Sequence, residues 1–425
     1  MKRLFRVGTS HPEASTSALK ISAETPASGI TFVDNSRGAS AATVELSAAL
    51  DKALDQVDLS EGDLDVQLRD ILLRLDREAS KYANSRVDEH ICTKWTYSQA
   101  TAHVVSAAWR CALGAYDVDA AAGLPNSSYC NFEHDHIVSP SIGGSTKALL
   151  STIVTPAADT NDNLLPALVI AVRGSASKVD HMVNANSRPR TAFDCNGRSI
   201  NAHSGFVNSA EALEHAVSER IRLYVQSRRS NIHIIFTGHS AGGAVASLLF
   251  LRRVVNSDSA SNARLSCITF GAPPVVTQAL NVEGLAPRRP LGLYLNIINE
   301  FDVVSRADKP YILCLVNLIR SLYGQPAILD DGVELTRDMD PPGSRTSQQA
   351  AGPENVWPVP PAMYHHVGSR VLLLTRLDDD GRICLKAYEM TEETFQQLLF
   401  CRVEVHRRAC YSDRIRRLEE GELSA

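Results

Sequence analysis

Three observations in this 425-residue sequence predict an α/β fold with a mixed, mostly parallel sheet flanked by helices. Short apolar, β-branched runs alternate with segments of helical spacing, the pattern of strands joined by crossover helices. One such run, Ile232, Ile234, Ile235 and Phe236, passes into a helical run through Gly238-His239-Ser240-Ala241-Gly242-Gly243. Further on, Asp378-Asp379-Asp380-Gly381 separates two strand-like runs and signals a hairpin, which makes the sheet mixed near its end.

Composition narrows the class before any element is assigned. A hydrophobic share of 44% and a charged share of 21% are those of a globular chain. A net charge of -5 gives no basic face for a nucleic-acid partner. No stretch reaches the roughly 18 apolar residues of a transmembrane helix. The start, Met1-Lys2-Arg3-Leu4-Phe5-Arg6, is basic but lacks the apolar core of a secretory signal, and Glu13 and Glu24 argue against a mitochondrial presequence. Nine cysteines, an odd number without C-x-x-C pairs, read as reduced thiols of a cytoplasmic protein and give no zinc ligand set.

In chain order, residues 1–58 are rich in Ala, Ser and Thr with little periodicity and read as disordered. A single domain is expected over 59–415. Leu64, Leu68, Ile71, Leu72 and Leu75 mark an amphipathic helix, and 100–115 another. Strand-like runs follow at 147–154, 165–172, 265–270, 293–298 and 371–377, with helical patterns at 210–226 and 243–255 between them. The stretch near 327–361 carries Pro, Gly, Gln and acidic residues without period and reads as a polar, exposed insertion. Residues 416–425 read as a tail.

The chemistry begins at Ser240. The pattern G-x-S-x-G between a strand and a helix is the nucleophile elbow, a sharp turn that exposes a serine hydroxyl at the sheet edge. The helix behind it supplies free N–H groups and a positive dipole end for a developing oxyanion. A serine hydroxyl needs a base, and the base needs an orienting acid, which in such sheets follow in the order serine, acid, histidine. Asp302 stands just past the strand that ends at Ile298, with Glu300 and Asp308 as rivals. Three histidines follow, His365, His366 and His406, and chain order does not separate them.

Five stretches, "ALVIAVRGSASKVDHMVN", "NAHSGFVNSA", "FTGHSAGGAVA", "ITFGAPPVV" and "NEFDVVSRADKPYI", together resemble the class 3, fungal-type lipase family. The resemblance covers roughly residues 100–415. It implies an α/β-hydrolase-type fold and hydrolysis of carboxylic esters, often acylglycerols, by a Ser-Asp-His triad without metal or organic cofactor. It implies Ser240 as nucleophile and Asp302 as acid. For the base, the His406-Arg407-Arg408-Ala409-Cys410-Tyr411 stretch is the closest match, and His366 is the reserve. It further implies backbone N–H groups of Ser175 and Ala241 as the oxyanion hole and a structural role for His203, while His239, inside the elbow, reads as a packing residue. Relatives carry a lid where this chain has 176–187. Here only Val179, Met182 and Val183 are apolar, too small a face for strong activation at lipid surfaces. The expected partner is a lipid or small ester, with transient contact to a lipid surface. Phospholipase or lysophospholipase activity, and a non-catalytic interaction module, stand as the alternatives.

Overall fold

The computed structural model describes residues 66–116, 124–138, 148–157, 164–174, 188–195, 197–228, 232–256, 262–285, 289–325 and 355–423, with 287 and 327 singly. The expected disordered region 1–58, Ser175, the lid segment 176–187 and 328–354 of the insertion lie outside these residues.

The strands are β1 (Thr93–Lys94), β2 (Cys130–Val138), β3 (Leu149–Pro156), β4 (Ala167–Val172), β5 (Pro189–Cys195), β6 (Arg198–His203), β7 (His233–His239), β8 (Arg264–Phe270), β9 (Leu291–Asn299), β10 (Ser369–Leu377) and β11 (Ile383–Met390). Nine of them form one sheet in the order β1-β11-β10-β9-β8-β7-β4-β3-β2. Its centre, β4, β7, β8, β9 and β10, is parallel. β11 and β1 close one side antiparallel, and β3 and β2 the other. The hairpin signal at Asp378–Gly381 thus marks the β10–β11 turn, where Leu377 faces Ile383. The antiparallel β2 was not foreseen: CNFEHDHIV alternates polar and apolar residues at the sheet edge and lacks a β-branched run. The small β5–β6 hairpin escaped for the same reason, since PRTAFDC and RSINAH are polar.

The helices are α1 (Val66–Ala79), α2 (Gln99–Gly114), α3 (Ser204–Ser227), α4 (Ala241–Val255), the short α5 (Val282–Leu285), α6 (Lys309–Leu322), α7 (Glu392–Gln396) and α8 (Arg408–Glu419). Side chains alternate across each strand, so a wholly buried strand such as ALVIAV must find cover on both faces. Leu168, Ile170 and Val172 of β4 pack with Phe206 and Leu213 of α3 and Leu248 and Leu249 of α4. Ala167, Val169 and Ala171 pack on the other face with Ala108 and Trp109 of α2 and Tyr411 and Ile415 of α8.

Two boundaries are corrected. Trp357, in the stretch expected to be exposed, is buried; its backbone N–H donates to Asn84 Oδ1 at 3.1 Å and its indole N–H to Cys314 Sγ at 3.2 Å. A large aromatic ring gains more from the apolar pocket than a polar loop loses by docking. The expected tail is also shorter: α8 continues to Glu419, with Leu418 buried in the core, and Leu423 pairs with Leu385. Among the described residues, no helix is long and apolar enough to cross a membrane.

Candidate active site

The site forms where β7, β8 and β9 end. Ser240 sits between the last residue of β7 and the first of α4, at φ 58 and ψ -136. Ser240 and Phe301, at φ 74, are the non-glycine residues with positive φ among those described. Such backbone costs on the order of 1–3 kcal/mol and collects at functional sites. Here one strained residue is the expected nucleophile and the other precedes the expected acid.

The elbow glycines have a steric cause. A β-carbon on Gly242 would stand 2.2 Å from the Val172 carbonyl oxygen and 2.7 Å from the Gly174 nitrogen. One on Gly238 would meet the Gly242 carbonyl carbon at 2.5 Å. Helix α4 therefore starts in direct backbone contact with the end of β4. The Ala241 N–H at its very start precedes the first helical carbonyl bond, which begins with the Gly243 N–H on the Ser240 carbonyl at 2.9 Å. The Ser240 N–H is tied to the Phe270 carbonyl at 2.9 Å.

Asp302 lies three residues past β9, with its N–H on the Asn299 carbonyl at 3.1 Å. It is fully buried. A buried carboxylate must be satisfied by donors, and three supply this. Val304 N–H donates to Oδ1 at 2.9 Å, Tyr411 O–H to Oδ2 at 2.8 Å, and His406 Nδ1 lies 2.8 Å from Oδ2. The Tyr411 hydroxyl also accepts the Asn299 N–H at 3.0 Å, which fixes the end of β9 to α8. Burial and Asp302 beside it push the Tyr411 phenol well above its usual range, so it stays a donor.

His406 stands in a short 3-10 turn, Glu404–His406, ahead of α8, and is fully buried. With Asp302 accepting at Nδ1, that nitrogen carries the proton, and Nε2 is the basic nitrogen of the neutral ring. Gly271, next to the Phe270 that holds the Ser240 N–H, would place a β-carbon 3.0 Å from His406 Cε1 and 2.8 Å from Asp302 Oδ2. The turn after β8 thus touches both the elbow and the Asp302–His406 pair.

The rival residues have other partners. Glu300 forms a two-point ion pair with Arg376, at 2.5 and 2.9 Å, and accepts the Val87 N–H. Asp308 caps α6, accepting from Tyr311 N–H at 3.0 Å and Met363 N–H at 2.6 Å. His365 pairs with Glu392 at 3.0 Å. His366 donates from Nε2 to the Ala272 carbonyl at 3.0 Å, and burial lowers its pKa to about 4. Both histidines hold the segment before β10 against the chain after β8, where His365 N–H also donates to the Val276 carbonyl at 2.7 Å. His203 stacks on Phe206, with centroids 4.3 Å apart. Tyr411 was not foreseen as part of the site; its only mark in the sequence is an aromatic residue on the apolar face of a helix.

Residues 169–311 match the family model described as Lipase (class 3). Two curated relatives from Arabidopsis thaliana share single segments with the chain. "Phospholipase A1 PLIP2, chloroplastic" is 26% identical over 141 residues, 32% of this chain and 19% of that protein. "Protein EDS1" is 27% identical over 128 residues, 28% of this chain and 20% of that protein. The match thus spans about a fifth of the length of these curated relatives. Among solved structures, the native Rhizomucor miehei lipase propeptide complex aligns with a TM-score of 0.44 at 16% identity, covering 77% of this chain and 85% of that one. The matched segment, residues 169–311, is similar to the class 3 lipase family and contains both Ser240 and Asp302.

Proposed function

We propose that the protein is a serine hydrolase that cleaves carboxylic esters of lipids, acylglycerols first among them. The observation that carries this reading is the fully buried Asp302–His406 pair against the turn that also holds Ser240. Ser240 Oγ attacks the ester carbonyl while His406 Nε2 takes its proton. The imidazolium that results is stabilised by Asp302, whose charge the Tyr411 hydroxyl and Val304 N–H hold in place. The Ala241 and Ser175 N–H groups receive the oxyanion. His406 then gives its proton to the departing alcohol, and water, activated by the same nitrogen, releases the acid from Ser240. The steps require no metal or organic cofactor.

A curated relative is named a phospholipase A1, so phospholipid esters form the second substrate class. The test is labelling by a fluorophosphonate probe, alongside hydrolysis of a panel of acylglycerol, phospholipid and short p-nitrophenyl esters. Labelling of the natural chain and its loss in Ser240→Ala are expected, with hydrolysis lost in the same variant. A folded natural chain that neither labels nor cleaves any of the esters overturns the proposal in favour of an interaction module.

A further inference from the structure

His239 makes more contacts than a packing residue needs. It is fully buried inside the elbow, and its ring stacks on that of His406 with centroids 4.6 Å apart and planes 27° apart. Its Nε2 lies 3.1 Å from the His406 backbone oxygen, and its Nδ1 lies 3.0 Å from the Tyr116 hydroxyl. A carbonyl oxygen only accepts, so Nε2 carries the hydrogen and Nδ1 takes one from Tyr116. Both ring nitrogens are then engaged, and the imidazole has one tautomer and one orientation.

Tyr116 has a second contact at the same atom. A β-carbon on Gly174 would stand 2.1 Å from the Tyr116 hydroxyl oxygen and 2.7 Å from the His239 carbonyl oxygen. The hydroxyl therefore rests on the residue preceding Ser175. The Arg408 guanidinium lies 4.5 Å over the Tyr116 ring.

We propose that Tyr116 and His239 are positioning residues for the base: together they tie the chain at Gly174 to the backbone of His406. The inference rests on the reading of Ser240, His406 and Asp302 as catalytic. Asp302 holds the His406 side chain from one end, and His239 holds its carbonyl from the other. His406 is thereby fixed at two points relative to the elbow that contains His239 and Ser240. The groups facing His239 are His406, Tyr411 and Trp109 at its ring, Tyr116 at Nδ1, and Arg408 beyond Tyr116. Burial, the His406 ring and Arg408 all lower the His239 pKa well below the usual value. A neutral ring thus stacks on the histidine that becomes cationic during turnover.

The test uses the full chain with three variants, reading kcat per fluorophosphonate-titrated site and KM separately on a p-nitrophenyl ester. Tyr116→Phe removes one hydroxyl and should lower kcat by about 3- to 10-fold with KM unchanged. His239→Phe keeps a ring but loses the donor to His406, and should lower kcat on the order of 100-fold, the cost of a displacement near 1 Å. His239→Gln restores an N–H donor and should recover kcat to within about 5-fold of the natural chain. If Tyr116→Phe keeps its kcat within about twofold, the inference fails; this variant decides should His239→Phe not fold. Equal losses in His239→Gln and His239→Phe overturn it too, as does a fall in titratable sites with kcat per site unchanged. Each of these leaves the hydrolase reading standing. A natural chain inert to both probe and esters overturns that reading instead.

Discussion

Gly242→Ala is the sharpest perturbation of the elbow, because its consequences oppose those of a glycine-to-alanine change elsewhere in a helix. In an open helical position alanine gains about 1 kcal/mol over glycine. At Gly242 the new carbon would stand 2.2 Å from the Val172 carbonyl oxygen, 2.7 Å from the Arg173 carbonyl carbon and 2.7 Å from the Gly174 nitrogen. Ordinary contact begins at 3.4 Å. All three neighbours are backbone, so no side chain can rotate away, and α4 must move roughly 1 Å from the end of β4. Overpacking of this kind costs about 1–3 kcal/mol, and a rigid backbone neighbour places it at the upper end. Net destabilisation of about 2 kcal/mol is expected, lowering Tm by about 3 °C in a folded unit of this size. Activity should suffer more than stability, because the same shift moves Ser240 and the Ala241 N–H: kcat is expected to fall on the order of 100-fold. Thermal unfolding and kcat per titrated site measure the two effects. Gly284→Ala is the control, since it is exposed in α5 and meets nothing nearer than the Asn281 side chain at 3.2 Å. A Gly242→Ala protein at least as stable as the natural chain, with unchanged kcat, would refute the steric argument.

Three further outcomes are expected. Ser240→Ala and His406→Ala should each lower turnover on the order of 10^4- to 10^6-fold, and the double variant should be hardly worse than either, because the pair acts as a unit; additive losses in kcat would show that they do not. His366, held at about 4 when folded, takes up a proton near 6.5 once unfolded. Its contribution to stability is therefore full above pH 6.5 and lost as pH falls towards 4, about 3 kcal/mol in all. Urea midpoints between pH 7 and 4 should show a flatter slope in His366→Gln, and equal slopes would exclude the effect. Arg376→Met strands the buried Glu300 carboxylate two residues before Asp302. It should cost about 3–5 kcal/mol, and an unfolding midpoint within error of the natural chain would show the ion pair to be dispensable.

What the sequence determined by itself is local. The strands β7 and β8 and the helix α4 are legible in runs of β-branched and helical spacing. The elbow is legible because Gly238, Ser240 and Gly242 stand within one turn between them. The place of Asp302 after β9 follows from the same logic, since a residue just past a strand lies at the sheet edge. Chain order left His365, His366 and His406 open and only the family resemblance favoured His406; the tertiary structure makes the contact between His406 and Asp302, 104 residues apart. It likewise occupied Glu300 with Arg376 and Asp308 with the start of α6, and brought Tyr411, Tyr116 and His239 to the site. The edge strand β2 and the β5–β6 hairpin were hidden because their polar alternation acquires meaning only beside a partner. The physical reason is the range of each term. Propensity and turn chemistry act within a few residues, whereas a buried carboxylate selects its donors from whatever the packed core carries within hydrogen-bond reach.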